Sequence, residues 1–288
     1  MQATFQALVW PRFLFSGWLR MIALAHTTTA NSPAGGRFSR RPDFMGIGAQ
    51  KAGTTWVFSR LEQHPDVVFP AGKEVHFWDL RYQKGTSWYF SRLGAPARKK
   101  VGDITPAYAV LPCPRIEKLA EACPDTRFFM ILRNPLERAW SLAKMNAGSL
   151  FEATRDIKFE GRPGLEIDDL SDAWWKSQFT MKGSLIRGMY DQCLARWLSV
   201  VERDRLLVLH YEELVETPRK FLSAIATHCG ITTEWFDQKS DSFFSKKVFD
   251  GANHSLPERF KPFLRELYGE SINNLSARLG RDYSHWLE

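Results

Sequence analysis

The stretch FMGIGAQKAGTTW, Phe44 to Trp56, decides the fold. Its apolar run feeds a glycine-rich turn and then two threonines. This reads as a buried strand over 44–48, a tight loop, and a helix over Thr54–Gln63. A loop of this kind turns several backbone N–H groups toward one point, and the helix dipole adds positive potential there. Strand, loop and helix start therefore make a cradle for an anion. In nucleoside triphosphatases the order is G-x-x-x-x-G-K-[ST], with the lysine after the last glycine. Here it is G-A-Q-K-A-G-T-T, so Lys51 precedes Gly53 by two residues and leans over the loop mouth.

Outward from this loop the chain alternates strand and helix. DVVFP (66–70) reads as a second strand, RFFMIL (127–132) as a central parallel strand, and RLLVLHYEEL (205–214) as a strand followed by a turn. NPLERAWSLAKMNA (134–147) is a helix with Asn134 as N-cap and Pro135 at its first position. IRGMYDQCLARWLSVV (186–201) reads as one long helix, and PRKFLSAIATHCG (218–230) as another that closes at Gly230. Helices between strands imply parallel pairing with right-handed crossovers. The expectation is a single α/β domain over 41–288, a central parallel β-sheet flanked by helices. Residues 148–180 lack a period and read as an insertion over the cleft, with Trp174 and Trp175 packed inside it. RFFMIL ends in Arg133, where a magnesium-assisted enzyme would place an aspartate. A cation there suits a second phosphate on the ligand, handled without a metal.

The 288 residues are 44% hydrophobic and 25% charged, an ordinary globular balance with enough apolar surface for a full core. A formal charge of +7 draws anions without choosing among nucleotides, acidic glycans and nucleic acid. Cys113, Cys123, Cys193 and Cys229 lack CxxC spacing, so buried thiols in a reducing cytoplasm are expected. Residues 1–40 read as a leader, ill-ordered or lying on a surface. Its Arg12, Arg20 and tryptophans make weak peripheral contact with a membrane surface the sharper alternative.

Two ordered motifs carry a resemblance to a known family. GAQKAGTTW (48–56) resembles the 5′-phosphosulfate loop of the sulfotransferases that use 3′-phosphoadenylyl sulfate (PAPS), and RNPLERAWS (133–141) resembles their 3′-phosphate motif. KEVHFWD (73–79) and TPAY (105–108) resemble segments of the heparan-sulfate-type branch and its bacterial relatives. The resemblance runs from about Phe44 to the C-terminal GRDYSHWLE. It implies the P-loop-like sulfotransferase fold and transfer of the sulfuryl group from PAPS to an acceptor hydroxyl, with PAP as product and no metal or nucleic acid.

The resemblance also implies roles. Lys51 would neutralise the leaving phosphate, and Ala52, Gly53, Thr54, Thr55 and Trp56 would hold the 5′-phosphosulfate, Trp56 lying near the adenine or in the core. Arg133 and Ser141 would hold the 3′-phosphate, with Tyr190, Lys246 and Lys247 also toward the nucleotide. Glu74 would be the general base with His76 as fallback, and Glu74, His76, Asp79, Tyr108 and Ser184 would line the acceptor site. The relatives' lysine before T-P-A-Y is absent, since Asp103 and Ile104 stand there. A carbohydrate acceptor is expected through the family branch, with a lipid or small metabolite as alternatives. The rival readings are a P-loop kinase using ATP and a polyanion-binding module without catalysis.

Overall fold

The computed structural model describes residues 39–154, 158–159, 162–163, 166–245 and 254–288. Residues 1–38 of the leader, Lys246 and Lys247 lie outside the described residues. The strands of the main sheet are β1 (Phe44–Gly48), β2 (Val67–Val68), β3 (Lys100–Ile104) and β4 (Arg127–Leu132). A short hairpin, β5 (Lys158–Phe159) with β6 (Arg162–Pro163), stands apart, and β7 (Leu206–His210) completes the main sheet. The order is β2-β3-β1-β4-β7, every pair parallel, as the alternation of strand and helix requires. All five residues of β1 are buried, because a strand flanked on both edges and covered on both faces has no face for water.

The helices that carry the site are α1 (Thr54–Leu61), α2 (Phe77–Leu80), α3 (Thr86–Arg92), α4 (Cys113–Ala122) and α5 (Pro135–Thr154). After them come α6 (Asp172–Thr180), α7 (Lys182–Leu185), α8 (Tyr190–Leu198), α9 (Tyr211–Glu216) and α10 (Pro218–His228). The backbone N–H of Leu136 donates to Asn134 Oδ1 at 2.9 Å, so Asn134 caps α5 as expected. At the end of α10, Ile231 N–H donates to Ala226 O and Gly230 N–H to Thr227 O, with Gly230 at φ 65°. That is a Schellman ending, and glycine supplies its left-handed residue at little steric cost.

Three expectations are corrected. The single helix expected over 186–201 is shorter, since residues 186–189 are not helical and the helix runs only over α8. A Cβ at Gly188 would meet the Tyr268 ring at 2.6 Å, so the chain passes too close to that ring for any other residue. The turn after β7 is instead α9, opened by a capping box between His210 and Glu213. Strand β3 was not expected, because Gly and Asp are poor strand residues. Here Gly102 is required, since a Cβ would meet Phe69 at 2.3 Å and Phe44 at 2.4 Å. Among the described residues, no helix is long and apolar enough to cross a membrane.

Candidate active site

The cradle sits at the C-terminal edge of β1, where the loop 49–53 leads into α1. Gly53 lies at φ 86°, and no side chain caps the helix, so its first N–H groups stay open to an anion. The loop is pinned to the next strand by Ala49 N–H donating to Ile131 O at 2.9 Å. Arg133, one residue past β4, donates from Nη1 to Lys51 O at 3.0 Å. The two sequence motifs are thereby joined by a direct hydrogen bond. Arg133 also lies over the Tyr211 ring at 4.6 Å, with Nη2 3.7 Å from Glu137 Oε2.

Among the described residues no carboxylate is within ion-pairing distance of Lys51; its Nζ contacts Met145 Sδ at 3.7 Å. Burial lowers its pKa, and the nearby charges of Arg133, Lys144 and Lys73 lower it further, against the pull of Glu74. Four cations, Lys51, Arg133, Lys144 and Lys73, gather around the loop against the carboxylates of Glu74 and Glu137, an excess of positive charge that suits a polyanion. Ser141 lies on α5 one turn from both Glu137, which faces Arg133, and Met145, which faces Lys51. Helical spacing puts it on the face between the two cations.

Opposite Lys51 runs a chain of charged groups. Lys73 Nζ pairs with Glu74 Oε1, His76 Nε2 stands 3.4 Å from Glu74 Oε2, and His76 Nδ1 bonds Asp79 Oδ2 at 2.8 Å. Burial works against ionised Glu74, but His76 and Lys73 outweigh it and hold its pKa at about 2. Burial also works against a charged His76, but Asp79 and Glu74 outweigh it and raise its pKa to about 9. At neutral pH the pair is a carboxylate beside an imidazolium, so His76 has no free lone pair with which to serve as the fallback base.

The backbone singles out the same residues. Among the described residues, the non-glycine positions with left-handed backbone are Lys51 (φ 70°), Glu74 (φ 60°) and His76 (φ 54°). Each such conformation costs of order 1 kcal/mol or more and persists only where its surroundings impose it. Tyr108 does part of that imposing. Its hydroxyl accepts from Phe77 N–H at 3.0 Å, capping α2 in place of the His76 side chain, and donates to Asp103 at 3.2 Å. Tyr108 is fully buried, so it stands behind the site and not against the acceptor. Asp103 takes further bonds from Tyr89 and Thr105, both at 2.7 Å, which accounts for a carboxylate held in the core.

Trp56 is half-buried, its indole N–H donates to Phe244 O at 3.3 Å, and Arg60 covers its ring at 5.2 Å. Its polar atom is therefore spent on the protein. Trp175 is buried against Trp140 at a ring distance of 4.7 Å, and Trp174 stands edge-on to it, so this pair packs. Ser184 and Tyr190 are buried, each with a hydroxyl that meets no partner. Sequence reasoning missed Lys73 and Lys144 as members of the site. Lys144 could have been found from α5 itself, three residues past Ser141 on a neighbouring helical position.

The sulfotransferase-domain profile matches residues 41–271, and the chain belongs to that family. A human heparan sulfate glucosamine 3-O-sulfotransferase 6 is 30% identical over 210 residues, covering 70% of this chain and 55% of that protein. The human bifunctional heparan sulfate N-deacetylase/N-sulfotransferase 1 is 27% identical over 281 residues, 86% of this chain and 31% of that protein. The chain thus spans about half or less of the length of these relatives. A crystal structure of a sulfotransferase from Alicyclobacillus acidocaldarius superposes with a TM-score of 0.61 at 22% identity, covering 86% of this chain and all of that one. That likeness establishes the fold.

Proposed function

We propose that this protein moves the sulfuryl group of PAPS to a hydroxyl of a carbohydrate acceptor. The observation that carries the reading is the Arg133 to Lys51 bond, which sets two anion anchors side by side across from ionised Glu74. The open N–H groups at Gly53–Trp56 fit the 5′-phosphosulfate, and Arg133 with Ser141 fits the 3′-phosphate. Lys51 faces the phosphate oxygen that keeps the electrons of the breaking S–O bond. A fixed cation acts there on charge that grows during reaction. Glu74 takes the acceptor proton. Its low pKa suits this task, because an acceptor oxygen becomes strongly acidic once it bonds to sulfur, and in a loose transition state the proton leaves late. Carbohydrate is favoured by the heparan-sulfate names of the relatives.

The test is transfer of labelled sulfate from PAPS into a uronate-containing polysaccharide, a lipid hydroxyl and a small phenol. Label in the polysaccharide supports the reading. Label only in the lipid or phenol overturns the acceptor, and no label in any arm overturns the activity.

A further inference from the structure

Arg133 leans on a residue outside both sequence motifs. Strands β4 and β7 are parallel neighbours, and their last register pair sets Leu132 beside His210. The next residues along the two strands are Arg133 and Tyr211, and the Arg133 guanidinium lies over the Tyr211 ring, 4.6 Å from its centroid. The same ring reaches the anion loop, because a Cβ at Gly53 would meet Tyr211 Cδ2 at 3.4 Å and Leu214 Cδ2 at 2.5 Å. One side chain of α9 thus lies against both anion anchors, the glycine before α1 and the arginine after β4.

Tyr211 is itself held in place. His210 Nε2 and the Tyr283 hydroxyl share a hydrogen bond of 2.6 Å, and His210 Nδ1 stands 3.1 Å from Glu213 Oε1. Arg281 donates to that Glu213 oxygen at 3.1 Å, so the C-terminal segment fixes the junction of β7 with α9. Arg133 has less to hold it: one bond from Nη1 to Lys51 O, and Glu137 at 3.7 Å from Nη2. Arg133 and Tyr211 line an open cleft of about 340 Å³ together with Glu137, Glu212 and Glu216. Three carboxylates therefore compete for the arginine. A ring against the face of a guanidinium restrains its plane and leaves free the N–H edge with which it grips a phosphate.

We propose that Tyr211 is a positioning residue for the 3′-phosphate: its ring keeps the Arg133 guanidinium from turning onto the cleft carboxylates and leaves its N–H edge to the nucleotide. This rests on the sulfotransferase reading above and adds to it a residue that touches the ligand only through Arg133.

PAP and ADP are titrated by calorimetry into wild type, Tyr211→Leu, Tyr211→Phe, Arg133→Met and the double variant Tyr211→Leu with Arg133→Met. Tyr211→Leu should weaken PAP by about 3- to 30-fold and ADP by less than about twofold, since Leu214 still backs the loop. Tyr211→Phe keeps the ring and should bind PAP as wild type does. Once Arg133 is methionine, Tyr211→Leu should have no further effect. Unchanged PAP affinity in Tyr211→Leu, equal losses for the two nucleotides, a loss in Tyr211→Phe that matches Tyr211→Leu, or a further loss on top of Arg133→Met each overturns the proposal. Should Tyr211→Leu fail to fold, the Arg133 Nε–H resonance of wild type, assigned by its absence in Arg133→Met, decides: an upfield ring-current shift that Tyr211→Phe retains supports the proposal, and a random-coil shift overturns it. The two readings fail differently. A wild type that binds PAP no better than ADP sinks the sulfotransferase reading and the phosphate role with it, whereas a preference intact in wild type and untouched in Tyr211→Leu overturns Tyr211 alone.

Discussion

Replacing Glu74 with glutamine removes a unit charge from a point 3.4 Å from His76 Nε2. Two unit charges at that separation interact by about 1.2 kcal/mol even at the dielectric of water, equivalent to about one pH unit of titration, and by more in a half-buried cleft. His76 titrates at about 9 in the wild type, and in Glu74→Gln it should titrate at least about one pH unit lower. Stability follows the same linkage. The raised His76 value stabilises the fold fully below its ordinary 6.5, and that contribution is lost as pH rises through about 9. Glu74 has the opposite sign: its contribution is present above its ordinary 4.5 and is lost as pH falls through about 2. Wild type should therefore lose stability as pH rises from neutral through about 9, and Glu74→Gln should lose less. The assay is an NMR titration of the imidazole protons, with His76→Asn assigning the resonance, beside urea midpoints across the same pH range. A wild-type His76 that titrates near 6.5, or one indifferent to Glu74→Gln, refutes the coupled chain of charges. It would also return a neutral imidazole to the site and with it the role of base.

Arg133→Met should weaken PAP by roughly 10- to 100-fold while ADP, lacking the 3′-phosphate, changes little; equal losses contradict the assignment. Lys51→Met should lower turnover by about 10²- to 10³-fold with a smaller change in PAP affinity, and a variant with near-normal turnover would remove Lys51 from the chemistry. Because burial and neighbouring cations lower its pKa, wild-type turnover should fall with rising pH before the ordinary lysine value of 10.5 is reached. Tyr108→Phe leaves Phe77 N–H and Asp103 each one partner short, at a cost of about 1–3 kcal/mol by urea unfolding. An unchanged midpoint would mean the hydroxyl does not hold the Glu74 to Asp79 turn. Trp175→Ala should cost roughly 3–5 kcal/mol, as for a large aromatic removed from a core, whereas a sugar-stacking residue would cost affinity and little stability.

The fold was legible where local pattern and burial agree. β1, β4 and β7 are apolar runs between turn signals, and α5 and α10 announce themselves by Asn134 and Gly230. β3 was illegible because Gly102 and Asp103 violate strand preference for tertiary reasons, close ring packing at one and three hydroxyl donors at the other. The break at Gly188 likewise depends on Tyr268, eighty residues away in sequence, which no local window contains. Within the site, the loop and Arg133 could be read from spacing, since both sit at strand ends. The protonation of His76 could not, because it depends on Asp79 and Glu74 reaching opposite nitrogens of one ring.

The proposed function turns on whether one wall of this protein grips two separated phosphates of an adenosine ligand. Calorimetric titration of the intact chain with PAP and with ADP tests it most directly. PAP should bind at least about tenfold tighter, since only PAP carries the 3′-phosphate that Arg133 and Ser141 are proposed to hold. Equal affinity for the two nucleotides would contradict it.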